Sequence, residues 1–421
     1  MIDTDTNKGK IIIILCVVLL VSVVYSKFLL SISMIALTLV SILEIKGDSI
    51  ILQPQIKDKY LSAVKSPLVI SLVVVFMATA ISGINSSNTG EWLHHLKMRS
   101  PFLFLPIAFM MLPRFSTQWY HRIHYIFIFL MTLTSIPVLI HYIGNSESLH
   151  QQINVGKTIP TPINHIKYSL FLAFAIVSAS ILYFRKFVWR YSWERYVQIL
   201  IIIYLFLLIH ILAVRSGIVV MYLCLIILCL MFMFRSRQYA NSIVAIAAMV
   251  VFPLVAYYAM PSFQTKVNYM LYDIEMYAKG TGGNYSDSER IRSYQVASEI
   301  WKKNPVMGTG IGDLYETCTD TYHELFDQVN VTLYPHNQFL FVLAGMGVVG
   351  LLLFIVGFTF PLFYKHNYRE SLFLCLYLIL IASFMVENTL ERSYSTGFFI
   401  FFLVLGINYM QGIKIQHSVD K

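Results

Sequence analysis

The sequence carries little charge. Of its 421 residues, 13% are Asp, Glu, Lys or Arg, whereas 57% are hydrophobic. A soluble globular protein has about 25% charged residues, because its surface has to be hydrated. The composition therefore excludes a soluble enzyme, a soluble nucleic-acid-binding protein and a disordered chain as descriptions of the whole molecule. It predicts a protein that crosses a membrane several times.

Cysteines and metal-ligand clusters are also scarce. Four of the five cysteines lie within apolar runs, and Cys318 alone lies in a polar segment. No CxxC pair occurs, so no disulfide framework is expected. In the segments that are predicted below to lie on the outer side of the membrane, no group of Cys, His and carboxylate residues has the spacing of metal ligands. We therefore expect neither a metal nor another cofactor.

Long apolar runs, by contrast, are abundant. A bilayer core about 30 Å thick is crossed by roughly 20 helical residues. Twelve runs predict transmembrane helices, and hence an all-α polytopic membrane protein, near residues 11–26, 28–45, 67–84, 101–113, 121–143, 166–184, 196–214, 216–234, 241–260, 337–363, 371–388 and 395–411. The stretch 201–234 would measure roughly 51 Å as one helix. It must therefore fold back, and Arg215-Ser216-Gly217 is the break within it.

The basic residues predict the orientation. The chain has 31 Lys and Arg against 22 Asp and Glu, a net charge of +9. Lys and Arg concentrate in the short cytoplasmic loops of membrane proteins. Most of them lie on the inner side if the N-terminus is cytoplasmic, which places both termini inside and the segment 261–336 outside. The positive charge is then explained by topology, and no nucleic-acid partner is expected.

The predicted organisation has three parts. Residues 1–260 contain spans one to nine, 261–336 form a long outer loop, and 337–421 contain spans ten to twelve and a short tail. The loop is polar and too long for a simple connection, and loops of this length usually carry function. Within it, residues 289–303 have the periodicity of an amphipathic helix, which Asn304-Pro305 ends. We therefore expect the chemistry in this loop.

A glycine-rich segment, Gly308-Thr309-Gly310-Ile311-Gly312, follows that helix. Its spacing is similar to that of a dinucleotide-binding loop, but no strand precedes it and no βαβ unit surrounds it. A tight turn that lets two backbones approach closely is the expected role. An amide nest that holds an anion is the alternative.

Several charged or titratable residues lie near the predicted outer surface. Arg215 interrupts an apolar run, where a charge is costly unless it faces water or a partner. Arg290 and Arg292 lie in the first turns of the loop helix, where cations oppose the helix dipole. His336 lies in Tyr334-Pro335-His336-Asn337, where the chain re-enters the membrane. Each has an alternative without function. Arg215 could be an ordinary interfacial arginine, Arg290 and Arg292 could lie on a solvated helix face, and His336 could make only structural hydrogen bonds.

Together these residues resemble the O-antigen ligase and Wzy-type polymerase superfamily of bacterial envelope glycosyltransferases. The matching residues, in chain order, are Arg215-Ser216-Gly217, Arg290, Asn304-Pro305-Val306-Met307-Gly308-Thr309-Gly310-Ile311-Gly312, His336-Asn337 and Gly345-Met346-Gly347-Val348-Val349-Gly350. Arg290 precedes Pro305 by fifteen positions, as in the family pattern. Two features depart from it: the family's Ser-Arg-Gly has become Arg-Ser-Gly, and Tyr294 stands where many relatives have Trp. The resemblance covers roughly residues 210–350, about a third of the chain.

The resemblance implies a reaction. The donor would be a glycan linked to undecaprenyl diphosphate, and transfer would take place at the periplasmic face of the bacterial inner membrane without metal or nucleotide. The acceptor would be lipid A-core or another glycan. A groove open to membrane lipid would hold the polyprenyl tail.

The resemblance also implies roles for individual residues. Arg215 and Arg290 would bind the diphosphate leaving group by bidentate, charge-assisted hydrogen bonds. His336 would act as general base on the acceptor hydroxyl, since histidine can accept a proton near neutral pH. The residues assigned to substrate binding are Arg292, Asn337 and Tyr334.

The function has alternatives in the same class and in others. A Wzy-type polymerase would use the same donor but extend another lipid-linked glycan, and a protein O-oligosaccharyltransferase would use a protein acceptor. A secondary transporter also has about twelve spans, but it should show paired broken helices and charges at the membrane midplane. A non-catalytic scaffold would not need the arginines and the histidine. We therefore favour a ligase.

Overall fold

The computed structural model describes residue 2 and residues 6–46, 49–154, 156–279, 286–326 and 332–419. Two parts of the predicted outer loop, 280–285 and 327–331, lie outside the described residues. The chain divides into two compact units. Unit 1 comprises Met1–Ile123, Ser293–Leu374 and Phe384–Lys421, and unit 2 comprises His124–Arg292 and Cys375–Ser383.

Apolar helices dominate the structure. Among the described residues, nine helices are long and apolar enough to cross a membrane: Asn7–Tyr25, Pro67–Asn85, Thr117–Gly144, His165–Phe184, Glu194–Leu212, Arg215–Phe234, Tyr239–Ala259, Gln338–Arg369 and Ser393–Lys414. Two shorter apolar helices, Lys27–Ile42 and Ser371–Val386, coincide with further predicted spans. The prediction of an all-α polytopic membrane protein is confirmed, whereas the count of twelve spans stays a prediction.

Unit 1 contains most of the shorter elements. Its helices are Asn7–Tyr25, Lys27–Ile42, Ile56–Val64, Pro67–Ile81, Thr89–Arg99, Pro101–Met111, Leu314–Leu325, Gln338–Phe363 and Ser393–Val419, with 3₁₀ turns at Ser82–Asn85, Tyr364–Arg369 and Thr389–Glu391. An antiparallel hairpin pairs strand Leu43–Lys46 with strand Ser49–Leu52, so that Leu43 lies opposite Leu52. Three helices contain residues of both units: Thr117–Gly144, Ser286–Lys303 and Ser371–Val386.

The core of unit 1 lies around the helix Ser393–Val419, whose apolar part is almost completely buried. The helices Pro67–Ile81 and Gln338–Phe363 pack closely against each other. Gly357 allows this approach, because a side chain there would collide with the backbone of Ser71. Close helix packing through small residues is typical of membrane proteins, in which lipid supplies no hydrophobic drive for association.

The helix Gln338–Phe363, here called the broken helix, is interrupted at Gly347, whose φ of 63° and ψ of −169° are not helical. The interruption deprives backbone groups of their helical partners, and the segment 305–310 supplies new ones. Four hydrogen bonds join the two, from Val348 N to Pro305 O (2.9 Å), Val349 N to Val306 O (3.2 Å), Thr309 N to Ala344 O (3.1 Å) and Gly310 N to Gly345 O (3.0 Å). Irregular backbone in a membrane helix is tolerated only when its polar groups are paired in this way.

The glycine-rich segment therefore has a structural role. Gly308 has a φ of 71°, which only glycine adopts readily, and a Cβ atom there would collide with the backbone of the broken helix. Gly347 faces the same restriction, because its Cβ would collide with Val306. The expected turn in which two backbones approach closely is confirmed, and the turn joins the segment 305–310 to the broken helix.

Unit 2 is built around the helix His165–Phe184, which is almost completely buried and packs against Glu194–Leu212 and Arg215–Ser236. The unit also contains Ser146–Asn154, Tyr239–Ala259 and Pro261–Ala278. Most of the apolar side chains of Tyr239–Ala259 are exposed. Such a surface suits contact with lipid, since hydrocarbon is as apolar as the side chains themselves.

The predicted fold-back within 201–234 is confirmed and lies just before the predicted break. Ala213 takes the left-handed conformation, with φ 51°, and the next helix begins at Arg215. Gly217 lies against the backbone of Ser169, where no side chain would fit. This close packing fixes the start of the helix and, with it, the position of Arg215.

Candidate active site

In unit 2, the guanidinium groups of Arg215 and Arg290 converge on one carboxylate, that of Asp287. Arg215 binds it with both ends of its fork: Nη1 lies 2.7 Å from Oδ2, and Nη2 lies 2.9 Å from Oδ1. Arg290 Nη1 lies 3.3 Å from the same Oδ1. Two arginines that share one oxyanion can also hold phosphate oxygens, which present similar acceptor geometry. The structure thus brings together two of the residues that the sequence singled out.

The start of the helix Ser286–Lys303 is fixed by a buried carboxylate. Asp273 Oδ2 accepts a hydrogen bond from Asp287 N at 2.8 Å, and Asp273 Oδ1 accepts one from Ser288 Oγ at 2.7 Å. An acceptor at this position pairs backbone N–H groups that a helix start otherwise leaves unsatisfied. Asp273 thereby holds the turn that carries Arg290. Arg292 lies two residues further along the same helix and is half-buried.

A third cation, Lys266, lies near Arg215 in unit 2. Its Nζ donates to the carbonyl oxygens of Lys157 at 2.8 Å and Gly156 at 3.3 Å. Burial, together with the positive charge of Arg215, lowers the pKa of Lys266 to about 8. Burial is the larger cause of the shift, but the contribution of Arg215 shows that two cations lie close together here, and this favours an anion as their ligand.

In unit 1, the imidazole of His336 pairs with a carboxylate. His336 Nδ1 lies 2.9 Å from Glu387 Oε1. An ionised carboxylate can only accept, so the proton of a neutral His336 lies on Nδ1 and the lone pair on Nε2. Within the described ranges Nε2 makes no hydrogen bond, and the side chain is 27% exposed. The basic nitrogen is therefore open to a ligand.

The backbone of His336 is held on both sides. Its N–H donates to Ser293 Oγ at 3.2 Å, and its carbonyl accepts from the hydroxyl of Tyr294 at 3.2 Å. The Tyr294 hydroxyl also lies 3.1 Å from the carbonyl oxygen of Met385, just before Glu387. These contacts hold the histidine and its carboxylate partner in one local arrangement.

Asn337, which follows His336 in the sequence, makes contacts that fix the local backbone. Asn337 caps the broken helix: its Oδ1 accepts from Phe339 N at 2.9 Å and Leu340 N at 3.1 Å, and its Nδ2 donates to Met385 O at 3.1 Å. Both ends of the amide are thus used within the protein. The cap fixes the point at which the chain leaves His336 and enters the broken helix.

Tyr334 lies in an aromatic environment, with ring centroids 5.3 Å from Tyr315 and 5.4 Å from Phe341. Burial, reinforced by the charges of Glu91 and Glu391, raises the pKa of its hydroxyl above the ordinary value. The hydroxyl is therefore a neutral donor and not a base at physiological pH.

A buried polar network lies in the same unit. Glu391 Oε1 accepts from Arg99 Nη2 at 2.6 Å and from Gln338 Nε2 at 3.0 Å, and Oε2 lies 2.9 Å from His95 Nδ1. Arg99, which is completely buried, also donates to Thr79 at 2.7 Å. Burial alone would raise the pKa of Glu391, but the charges of Arg99 and His95 outweigh it and lower the pKa below its ordinary value. Since Gln338 follows Asn337 directly, the network anchors the start of the broken helix.

No catalytic or substrate-binding role was predicted for Asp287, Glu387 or Glu391. Asp287 lies three residues before Arg290, a spacing at which side chains of a helix meet, and this was a usable signal. Glu387 and Glu391 follow an apolar run at the membrane boundary, where unpaired carboxylates are costly. Their partners could not be inferred, because they lie far away in the chain. Among the described residues, no group of three or more His, Cys, Asp or Glu side chains is arranged to hold a metal ion.

The helices are those of a multi-pass membrane protein, and the two clusters are a pair of arginines on one carboxylate and a histidine–carboxylate pair. Residues 199–355 match the protein family described as O-antigen ligase. The match contains Arg215, Arg290 and His336 and confirms the resemblance. Over these residues the chain is similar to the O-antigen ligase and Wzy-type polymerase superfamily. A comparison with curated proteins found no match.

Proposed function

We propose that the protein is an O-antigen ligase that transfers a glycan from undecaprenyl diphosphate to lipid A-core at the periplasmic face of the inner membrane. The family match supports a ligase or polymerase that acts on envelope glycans. The ligase, its donor and its acceptor are our proposal. Both termini would be cytoplasmic, and the segment 261–336, with its helix Ser286–Lys303, would be periplasmic.

The observation that carries the proposal is the convergence of Arg215 and Arg290 on one carboxylate. In the proposed reaction the bond between the sugar C1 and the diphosphate oxygen breaks, and the diphosphate leaves with the electron pair. Two guanidinium groups stabilise the charge that develops on its oxygens. Since these cations belong to the protein, the reaction requires no metal to neutralise the leaving group.

His336 supplies the second half of the reaction. The acceptor hydroxyl forms the new bond to C1 and loses its proton, which passes to the open Nε2 of His336. Glu387 stabilises the imidazolium that results and keeps the proton of the neutral form on Nδ1. Tyr334, Asn337 and Arg292 are the further residues that we assign to substrate binding or to its support.

A reconstituted assay tests the transfer. Purified protein in lipid nanodiscs receives the lipid-linked glycan and lipid A-core, and the product is followed by gel mobility and mass. We expect the same rate in EDTA as in Mg²⁺. A rate that collapses in EDTA and returns with Mg²⁺ or Mn²⁺ would contradict the metal-independent mechanism.

A deletion strain separates ligase from polymerase, because the two share the donor and differ in the acceptor. Loss of all O-antigen from the core, with accumulation of long lipid-linked chains, is the result expected for a ligase. A core that carries a single repeat would instead identify a polymerase. Complementation with the wild-type gene controls for effects on neighbouring genes.

A further inference from the structure

We propose that Asp287 is an exchangeable counter-ion, whose carboxylate occupies the diphosphate position on Arg215 and Arg290 and leaves when the donor binds. The inference rests on the proposed function, since it concerns the same oxyanion site. It assigns to Asp287 an influence on donor affinity and on product release, as the anion that competes with the diphosphate for the two arginines.

The geometry resembles that of a bound anion. Asp287 takes both ends of the Arg215 fork, at 2.7 and 2.9 Å, and also receives Arg290 at 3.3 Å. A carboxylate and a phosphate present two oxygens to a guanidinium group in the same bidentate manner. The carboxylate therefore competes with the diphosphate for the same N–H donors.

The pair between Arg215 and Asp287 is accessible from water, so that its carboxylate can be exchanged. The side chain of Arg215 is 39% exposed and that of Asp287 is 19% exposed, so water screens the ion pair. A ligand with two phosphate groups can therefore reach the guanidinium groups from the water side and offer them more charge than one carboxylate does. A diphosphate beside an undisplaced Asp287 would instead suffer repulsion between like charges.

The backbone is arranged so that only the side chain of Asp287 needs to move. Asp273 is 1% exposed and holds Asp287 N and Ser288 Oγ at 2.8 and 2.7 Å. The turn that carries Arg290 is therefore anchored whether or not the Asp287 carboxylate is paired. Rotation of one side chain exchanges the counter-ion and leaves the arginines in place.

The exchange of the Asp287 carboxylate would act at two stages of the reaction, before the donor binds and after transfer. Before the donor binds, Asp287 keeps two neighbouring guanidinium groups from repelling each other next to Lys266. After transfer, the lipid diphosphate remains as product and still fits the arginines. Return of the carboxylate then assists its release, because the product has to compete with an anion tethered beside it.

The test compares Asp287→Asn with Glu289→Gln in the full-length protein in nanodiscs. Glu289 lies in the same helical turn, so its variant removes an equal charge from the helix start and controls for the helix dipole. Inorganic pyrophosphate is the probe, measured by isothermal titration calorimetry. We expect Asp287→Asn to bind it about three- to tenfold more tightly than wild type, and Glu289→Gln to bind it as wild type does. Asp287→Ala is the second variant if the first folds poorly.

In the transfer assay, the donor KM of Asp287→Asn should fall, and inhibition by pyrophosphate should become stronger. A residue that only orients the arginines would have the opposite effect, with weaker binding and a higher KM. Unchanged or weaker binding by Asp287→Asn would overturn the exchange and leave the transfer reaction intact. Binding that persists in Arg215→Ala would overturn the oxyanion site itself, and the exchange with it.

Discussion

His336 Nδ1 and Glu387 Oε1 lie 2.9 Å apart, although 51 positions separate the two residues in the chain. The carboxylate is nearly buried, whereas the imidazole remains partly exposed. Glu387 thus accepts the hydrogen bond of Nδ1 and fixes the tautomer of the neutral histidine. Nε2 is left available to a ligand. This pair leads directly to two predictions.

Glu387→Gln should lower kcat about 10- to 100-fold with little change in the donor KM. Glutamine can still accept a hydrogen bond from Nδ1, but it cannot stabilise the imidazolium that forms during proton transfer. Initial rates at varied donor concentration in the reconstituted assay measure both constants. Glu387→Asp should recover part of the rate, and a variant with an unchanged kcat would exclude a positioning role for Glu387.

His336→Ala should lower turnover by about 10²–10⁴-fold, the usual contribution of a general base. Donor affinity should stay close to that of the wild type, because the arginines bind the diphosphate. His323→Ala is the control, since His323 is an exposed histidine in the same unit. Loss of donor binding in His336→Ala, or full activity in His336→Gln, would contradict the assignment.

Arg215→Lys and Arg290→Lys should each lose most of the activity, about tenfold or more. A lysine ammonium is a point charge and cannot make the paired hydrogen bonds of a planar fork. The loss should appear in both donor affinity and kcat, because the diphosphate carries more charge in the transition state. Lys302→Arg is the control. Lys302 is an exposed residue of the helix that carries Arg290, so this variant should behave as wild type. Near-normal transfer by both lysine variants would refute the assignment.

The stability of the protein should depend on pH through Glu391. Its folded-state pKa is lowered by Arg99 and His95, so the stabilisation is present above the ordinary glutamate pKa of about 4.3 and is lost as the pH falls below it. Glu391→Gln should destabilise the protein at pH 7 by about 3 kcal/mol, because Arg99 is then buried without a counter-charge. Denaturant unfolding at pH 7 and at a series of pH values below about 4.3 measures both effects. Glu316→Gln, which changes an exposed glutamate, should alter neither.

Gly308→Ala should destabilise unit 1 by about 2 kcal/mol or more. Alanine is strained at a φ of 71°, and its Cβ would collide with the backbone of the broken helix. Transfer activity should fall with it, because the segment that fixes the broken helix is displaced. Gly144→Ala is the matched control, since no atom lies near the added methyl group. Equal melting temperatures for the two variants would contradict the proposed contact.

Local patterns predicted the helices well. Apolar runs of the right length located the spans, and Asn304-Pro305 lies where the helix Ser286–Lys303 ends. The fold-back before Arg215 followed from length alone, because one helix could not contain the whole run. These features depend on neighbouring residues, and the sequence displays such neighbours directly.

The partners in the site could not be predicted in the same way. Arg215 and Asp287 are 72 positions apart, and Arg99 and Glu391 are 292 apart. A charge pair between distant segments leaves no periodicity in either segment. The positive φ of Gly347 could not be predicted either, because it depends on hydrogen bonds between the broken helix and the segment 305–310.

The four hydrogen bonds between 305–310 and the broken helix hold this segment in place. Lifting this segment as a lid would leave several amide and carbonyl groups unpaired at the membrane, at about 1–3 kcal/mol for each group. If this segment stays closed, the lipid-linked donor that we propose would enter sideways, from within the leaflet in which its own tail is dissolved. The donor would then reach the protein by diffusion in the plane of the membrane. At low donor density, the rate of transfer should depend on the fluidity of the bilayer and not on the volume of the surrounding solution.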